Sequence, residues 1–186
     1  MAAALISLRP LEPADAPALL DLRVRNRAFL EPWEPVRDEY WYTLEAQRAD
    51  IAAGIEGARA DRRYAFGIFA PQLVGRVALN EIVRGVFGNA YLGYFVDEAV
   101  NGRGYATEAV RETVRFAFGE MGLHRVQAAV VPRNAGSVRV LEKAGFREEG
   151  YAERYLCING VWEDHRIFAI TREELTDVSK APTAGV

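Results

Sequence analysis

The sequence predicts an α/β domain built on a mixed, twisted sheet of about seven strands with flanking helices. Three observations carry that reading. Residues 90–121, AYLGYFVDEAVNGRGYATEAVRETVRFAFGEM, change period part-way. The apolar, aromatic-rich run to Val96 reads as a buried strand, and Asp97 and Glu98 end it. Beyond the turn NGRG, Ala106, Ala109, Val110, Thr113, Val114, Ala117 and Met121 recur at three- and four-residue spacing, the stripe of a helix packed on a sheet. A second apolar run, 125–131, follows this helix, and a strand–helix–strand crossover implies parallel pairing. Near the end of the chain, Asn159-Gly160 separates two strand-like runs with the residue pair that a two-residue hairpin turn favours.

In chain order, residues 5–8 (LISL) form a first strand closed by Arg9-Pro10. Pro13 and Asp15 mark a helix start, and Ala16, Leu19, Leu20, Val24 and Arg27 follow with helical spacing. Residues 29–42, FLEPWEPVRDEYWY, read as an aromatic loop broken by Pro32 and Pro35. Its tryptophans and tyrosines suit either the core or a pocket wall. Thr43 is placed to cap a second helix running to about residue 63, judged from Leu44, Ile51 and Ile55. Residues 64–70 and 73–83 read as a hairpin around Pro71-Gln72, and 84–89 lead into the central strand. After the second buried strand, Asn134 opens a short helix whose Val138, Leu141 and Ala144 face inward and which Gly145 ends. A strand runs from Phe146 past Tyr151, and a closing hairpin joins 156–158 to 162–170. Residues 1–171 thus make a single domain, and 172–186 turn polar and end in KAPTAGV, a flexible tail.

Composition narrows the function classes. Half of the 186 residues are hydrophobic, enough for a sizeable core. A net charge of −3 supplies no global basic field, so direct nucleic-acid binding is not expected. Cys157 is the only cysteine, which permits no internal disulfide and fits a reducing compartment. The start MAAALISLRP does not read as a signal peptide, and no window reaches the ~20 apolar residues of a membrane span. A cytoplasmic protein without membrane attachment is expected. His124, His165 and Cys157 have no metal-ligand spacing, so no metal site is expected.

The turn between the central strand and its helix carries the chemistry. A strand, a glycine turn and a helix start leave backbone N–H groups pointing out of one loop, at the positive end of the helix dipole, where a phosphate or pyrophosphate is favoured. Gly102 and Gly104 have no Cβ and let the backbone approach an anion. A Walker loop would need Gly-Lys-Ser/Thr, and no lysine follows Gly104. A dinucleotide fingerprint would need a small residue at Thr107 and an acidic residue ending the next strand, and RVQAAVVPRN has none. NGRGYA (101–106) instead resembles the pyrophosphate loop of the GNAT acyltransferases, Gln/Arg-x-x-Gly-x-Gly/Ala, departing from it at Asn101. NAGSVRVLEKAGF (134–146) resembles the second signature of that superfamily and falls one strand later.

Within the superfamily the chain is most similar to the bacterial ribosomal-protein-alanine N-acetyltransferases. The likeness lies in NRAFLEPWEPVRDE (26–39), VRG followed by YLGY (83–94) and EGYAERYLCINGVWEDH (149–165). The resemblance implies the GNAT fold, with a central parallel strand pair that splays to admit acetyl-CoA. It implies cofactor contacts from Phe95 and Val96, from Gly102, Arg103, Gly104, Tyr105, Ala106 and Thr107, and from Asn134, Ser137, Arg139 and Lys143. Many superfamily members carry a proton-donating tyrosine seven residues after the Asn; Leu141 stands there, and the resemblance implies Ser137 as the proton donor to the CoA thiolate. Read without the resemblance, Asn134 and Ser137 are a helix N-cap pair. Leu156 stands where one branch carries a basic glutamate, which leaves Glu34, Glu81 or a water relay as general base. Phe29, Trp33, Glu34 and Tyr94 are the expected acceptor-side residues. The implied reaction is acetyl transfer to a primary amine, foremost the N-terminal alanine of a ribosomal protein. A small amine such as an antibiotic or polyamine, and a non-catalytic CoA-sensing or scaffold module, remain alternatives, as do monomer and homodimer.

Overall fold

The computed structural model describes residues 6–178, which form one seven-stranded sheet in the order β1-β2-β3-β4-β5-β7-β6. The strands are β1 (Ser7–Pro10), β2 (Tyr64–Phe69), β3 (Leu73–Val83), β4 (Asn89–Val96), β5 (Arg125–Val130), β6 (Arg147–Ile158) and β7 (Val161–Thr171). The helices are α1 (Ala16–Arg25), α2 (Arg27–Leu30), α3 (Leu44–Arg59), α4 (Tyr105–Gly119), α5 (Ala135–Lys143) and α6 (Arg172–Val178). Neighbouring strands run antiparallel, except β4 and β5, which are parallel as the crossover through α4 demands. Among the described residues no helix is long and apolar enough to cross a membrane.

Two apolar clusters sit on the sheet. One joins Ala109, Val110, Val114 and Ala117 of α4 and Val138 and Leu141 of α5 to Val77, Leu79, Ala90, Leu92, Val126, Ala128 and Phe168. Every α4 position of the sequence stripe is buried. The other cluster packs Ala16, Leu19 and Leu22 of α1 and Ile51 of α3 on Leu11 and Leu73. Thr43 caps α3 as its sequence position requires, its hydroxyl accepting from the Ala46 N–H at 3.2 Å. The Asn159-Gly160 turn joins β6 to β7 with both residues at positive φ, 45° and 79°.

Several boundaries differ from the sequence reading, each for a physical reason. The first strand pairs over Ser7–Pro10 instead of 5–8, and Pro10 is tolerated because β1 lies at the sheet edge; residue 5 lies outside the described residues. α1 turns Leu22 and Arg23 inward and leaves Val24 exposed. Residues 29–42 are a loop only over 34–38, which lies between the end of α2 with a 3₁₀ turn at Glu31–Trp33 and a second 3₁₀ turn at Glu39–Tyr42. α3 stops at Arg59, short of residue 63. The two strands expected from Phe146 to residue 158 are one, β6, which absorbs its polar middle in register shifts at Glu148/Gly150 and Ala152/Leu156. The stretch expected as a tail from residue 172 begins as helix α6, and 179–186 lie outside the described residues.

Candidate active site

The site forms where the parallel pair comes apart. β4 and β5 pair only over Asn89↔Arg125, Ala90↔Val126 and Tyr91↔Gln127. Beyond that, β4 stays with β3 as far as Val96↔Gly75, and β5 stays with β7 as far as Val130↔Arg166. The Asp97 N–H bonds to the Val74 carbonyl at 2.7 Å on the β3 side. Successive N–H groups of a strand point to opposite edges, so those of Tyr94 and Val96 face the gap left by β5. The Phe95 N–H faces β3, so of the two strand residues expected at the cofactor only Val96 turns its amide to the gap, joined by Tyr94.

A cavity of about 570 Å³ opens at this gap. Its walls are the end of β4 (Tyr94, Phe95, Val96), the loop and first turn of α4, the first turns of α5, and Phe29, Leu30, Trp33 and Glu34. Gly104 is the N-cap of α4 at φ 84°, and Gly102 has φ 78°; a Cβ at either would meet no protein atom within 4 Å. The glycines therefore serve a left-handed backbone and open space in front of it. The first helical bond of α4 runs from the Glu108 N–H to the Gly104 carbonyl at 3.0 Å, so the N–H groups of Tyr105, Ala106 and Thr107 precede the ladder. This arrangement is suited to cradle an anion at the positive end of a helix of 15 residues.

Of the cofactor-side residues expected from the sequence, Gly102, Gly104, Tyr105, Ala106, Thr107, Asn134, Ser137, Arg139 and Lys143 all line this cavity with Phe95 and Val96. Arg103 sits in the exposed turn and is not among the lining residues. Asn134 keeps its N-cap role, its side chain accepting from the Ser137 N–H at 3.0 Å. That bond fixes the Ser137 backbone but not its hydroxyl, which meets the Tyr94 phenol at 2.8 Å. Burial pushes the Tyr94 phenol above its ordinary range, outweighing the bond to Ser137, so it stays protonated.

The acceptor-side residues Phe29, Trp33, Glu34 and Tyr94 also line the cavity. Glu34 Oε1 accepts from Arg23 Nη1 at 2.7 Å, and the Arg23 guanidinium lies 4.0 Å over the Phe95 ring. The Glu34 carbonyl accepts from the Asn159 N–H at 2.9 Å, so the β6–β7 turn closes onto this segment. Glu81 does not join them. It is exposed, at φ 49° in the irregular end of β3, and away from the lining residues. The sequence reading missed Arg133, which lines the cavity, lies 5.4 Å over the Trp33 ring and pairs with Glu163 at 2.8 Å. His124 reaches Glu173 at 3.2 Å, and His165 is buried against the Tyr155 ring.

Comparison with known proteins matches this architecture to a family. The model of the acetyltransferase (GNAT) domain matches residues 6–147. The chain belongs to the GNAT acetyltransferases. Over 168 residues it is 49% identical to a Bacillus subtilis protein named Probable N-acetyltransferase YjcK, covering 89% of this chain and 93% of that protein. Over 172 residues it is 35% identical to the ribosomal protein uS5-alanine N-acetyltransferase of Escherichia coli, covering 91% and 89%. Among solved structures, Mycobacterium smegmatis RimJ in complex with CoA-disulfide matches with a TM-score of 0.89 at 35% identity, over 93% of this chain and 85% of that one.

As a GNAT acetyltransferase, the chain is an acetyl-CoA-dependent N-acetyltransferase, and its cleft fits that cofactor. The amides of Tyr105, Ala106 and Thr107 suit a pyrophosphate, Arg139 and Lys143 add positive charge on the α5 side, and the unpaired amides of β4 suit the carbonyls of an extended pantetheine arm. Bound acetyl-CoA supplies an acetyl thioester. The chain itself supplies main-chain donors, a hydroxyl pair and an aromatic wall.

Proposed function

We propose that the enzyme acetylates the α-amine of a protein N-terminus, with alanine as the first residue and a ribosomal protein as the acceptor. The observation that carries this reading is the acceptor-side wall. Phe29, Trp33 and Glu34 face the cavity from a segment stiffened by Pro32 and Pro35 and tied to the hairpin turn through Glu34 and Asn159. A pre-ordered aromatic wall holds a peptide end at small entropic cost. The uS5-alanine N-acetyltransferase, similar over 91% of this chain, supports the same acceptor class.

The chemistry favours an α-amine. At pH 7 roughly a tenth of α-amines, with pKa ~7.7–8.0, are neutral, against fewer than about one in a thousand lysine side chains. Little base assistance is then needed, and Glu34, already bonded to Arg23, serves as a counter-charge at the acceptor amine. Ser137 is the proton donor to the departing thiolate. The test is acetylation of an Ala-starting peptide, the same peptide with a blocked N-terminus but free lysines, and a polyamine, combined with mass spectrometry of cellular N-termini with and without the protein. Acetylation of the free N-terminus alone is expected. A higher kcat/KM on the polyamine would replace this reading with small-amine acetylation.

A further inference from the structure

The Tyr94 phenol, expected from the sequence to face the acceptor, is engaged elsewhere. Its oxygen lies 2.8 Å from Ser137 Oγ and 3.2 Å from the Ser137 carbonyl. We propose that Tyr94 is a positioning residue for proton delivery: its O–H donates to Ser137 Oγ, turns the serine proton into the cleft and supports the charge that Oγ gains as that proton leaves for sulfur. The proposal rests on Ser137 being the proton donor, as in the function proposed above.

The geometry restricts the alternatives. Tyr94 stands on β4 and Ser137 in the first turn of α5, so the contact spans the opening between two walls of the cavity, and both residues line it. Asn134 holds the Ser137 N–H and so fixes the backbone, which leaves the contact with Tyr94 to place the hydroxyl. A serine hydroxyl can give its single proton either to Tyr94 or to a group in the cleft, and only the second is productive. The phenol favours the second by donating to Oγ, the nearer of the two Ser137 oxygens at 2.8 Å against 3.2 Å for the carbonyl. Leu141, one turn further along α5, is fully buried in the core and offers no competing group.

The N–C bond forms while the C–S bond breaks, and the acceptor nitrogen loses a proton to solvent. The thiolate takes the Ser137 proton, Ser137 regains one from water entering the emptied cleft, and Tyr94 keeps its own. Tyr94 thus changes the barrier without being consumed or ionised.

The experiment compares wild type, Tyr94→Phe, Ser137→Ala and the double variant with acetyl-CoA and two acceptors, an Ala-starting peptide and a small primary amine. Tyr94→Phe keeps the ring and should leave the melting temperature and the KM for acetyl-CoA near wild type. It should lower kcat about ten-fold, the value of one hydrogen bond made stronger in the transition state. The double variant should match Ser137→Ala within about two-fold, since removing the donor leaves nothing to position. The loss should be equal with both acceptors, because it arises at sulfur. A kcat for Tyr94→Phe within about two-fold of wild type, or losses that multiply in the double variant, overturns the proposal. A loss confined to one acceptor also overturns it and returns Tyr94 to acceptor binding. Should wild type acetylate only the small amine, the proposed acceptor falls while the comparison still judges Tyr94 on that amine. An unimpaired Ser137→Ala removes the proton donor and Tyr94's role with it.

Discussion

Replacing Gly104 by alanine separates what the glycine does for the fold from what it does for the cofactor. The new Cβ would meet no protein atom within 4 Å, so no steric term arises inside the protein. The cost is that of a non-glycine residue at φ 84°, about 1–2 kcal/mol. At ~2–4 °C per kcal/mol for a chain of this size, the apo melting temperature should fall by ~2–8 °C. Gly122 provides the control: its φ is 66°, a Cβ there also meets nothing, and it lies beyond the far end of α4, away from the cavity lining. Gly122→Ala should therefore cost about the same in the apo protein. The variants should part when acetyl-CoA is added. At 100 times its Kd a ligand stabilises by about 2.7 kcal/mol. A methyl group in front of the Gly104–Thr107 amides displaces the anion, and losing two charge-assisted bonds at ~1.5 kcal/mol each, or one at ~3 kcal/mol, raises Kd by roughly 10²-fold. At the same acetyl-CoA concentration the stabilisation then drops to about 0.4 kcal/mol, a shift of ~1–2 °C instead of ~5–11 °C. Thermal melts with and without acetyl-CoA read this directly. A full acetyl-CoA shift in Gly104→Ala, equal to that of Gly122→Ala, would refute the assignment of this loop.

Trp33→Ala should lower kcat/KM for an Ala-starting peptide by ~5–30-fold, the range of an aromatic anchor. Trp33 is half-buried, lies outside both apolar clusters and stacks under Arg133, so its removal should cost only about 1 kcal/mol, against ~3–5 for a core tryptophan; a melting drop beyond ~10 °C would move it into the core. Asp97 adds a pH dependence. Burial pushes its carboxyl up, but the Arg25 guanidinium, the Ala99 N–H and Asn26 outweigh this and hold it below its ordinary value. A carboxylate with a depressed folded pKa stabilises fully above its unfolded value of ~3.9 and loses that stabilisation as pH falls through the folded one. Asp97→Asn should therefore flatten the acid side of the melting-temperature profile below about pH 4, and an unchanged acid limb would exclude this carboxylate as a contributor.

The sequence revealed the elements whose evidence is local. The switch from strand to helix period around the NGRG turn located β4, the cradle and α4, because cradle recognition uses main-chain amides and glycine conformations that leave marks in sequence. It did not reveal Arg23. A buried arginine interrupts an apolar stripe, and its justification, the bond to Glu34, lies eleven residues away on a different element. Val24 fitted the spacing equally well and is exposed. β6 failed for a related reason. It is an exposed edge strand whose residues alternate no burial, and Arg154 at φ 48° lets the strand continue through a bulge that a period of two cannot represent.

The splaying of β4 from β5 leaves no mark in either strand, because both runs are regular and each keeps a second partner to its end. β3 holds β4 to Val96 and β7 holds β5 to Val130, so the pair can part without either strand being lost. What parting costs is the ladder of bonds that Leu92–Tyr94 would otherwise make with Ala128–Val130. Unpaired strand amides in a partly enclosed cleft are expensive unless something accepts from them. The same amides, with those of Tyr105, Ala106 and Thr107, are the donors an extended, phosphate-bearing thioester needs. The fold therefore withholds hydrogen bonds from its own sheet at the place where bound acetyl-CoA would complete them. Binding of acetyl-CoA should accordingly protect the Tyr94 and Val96 amides from hydrogen exchange more than the paired amides of Phe95 and Asp97, whose partners lie within the protein. Equal protection across all four would mean that the cofactor does not bridge the gap between the strands.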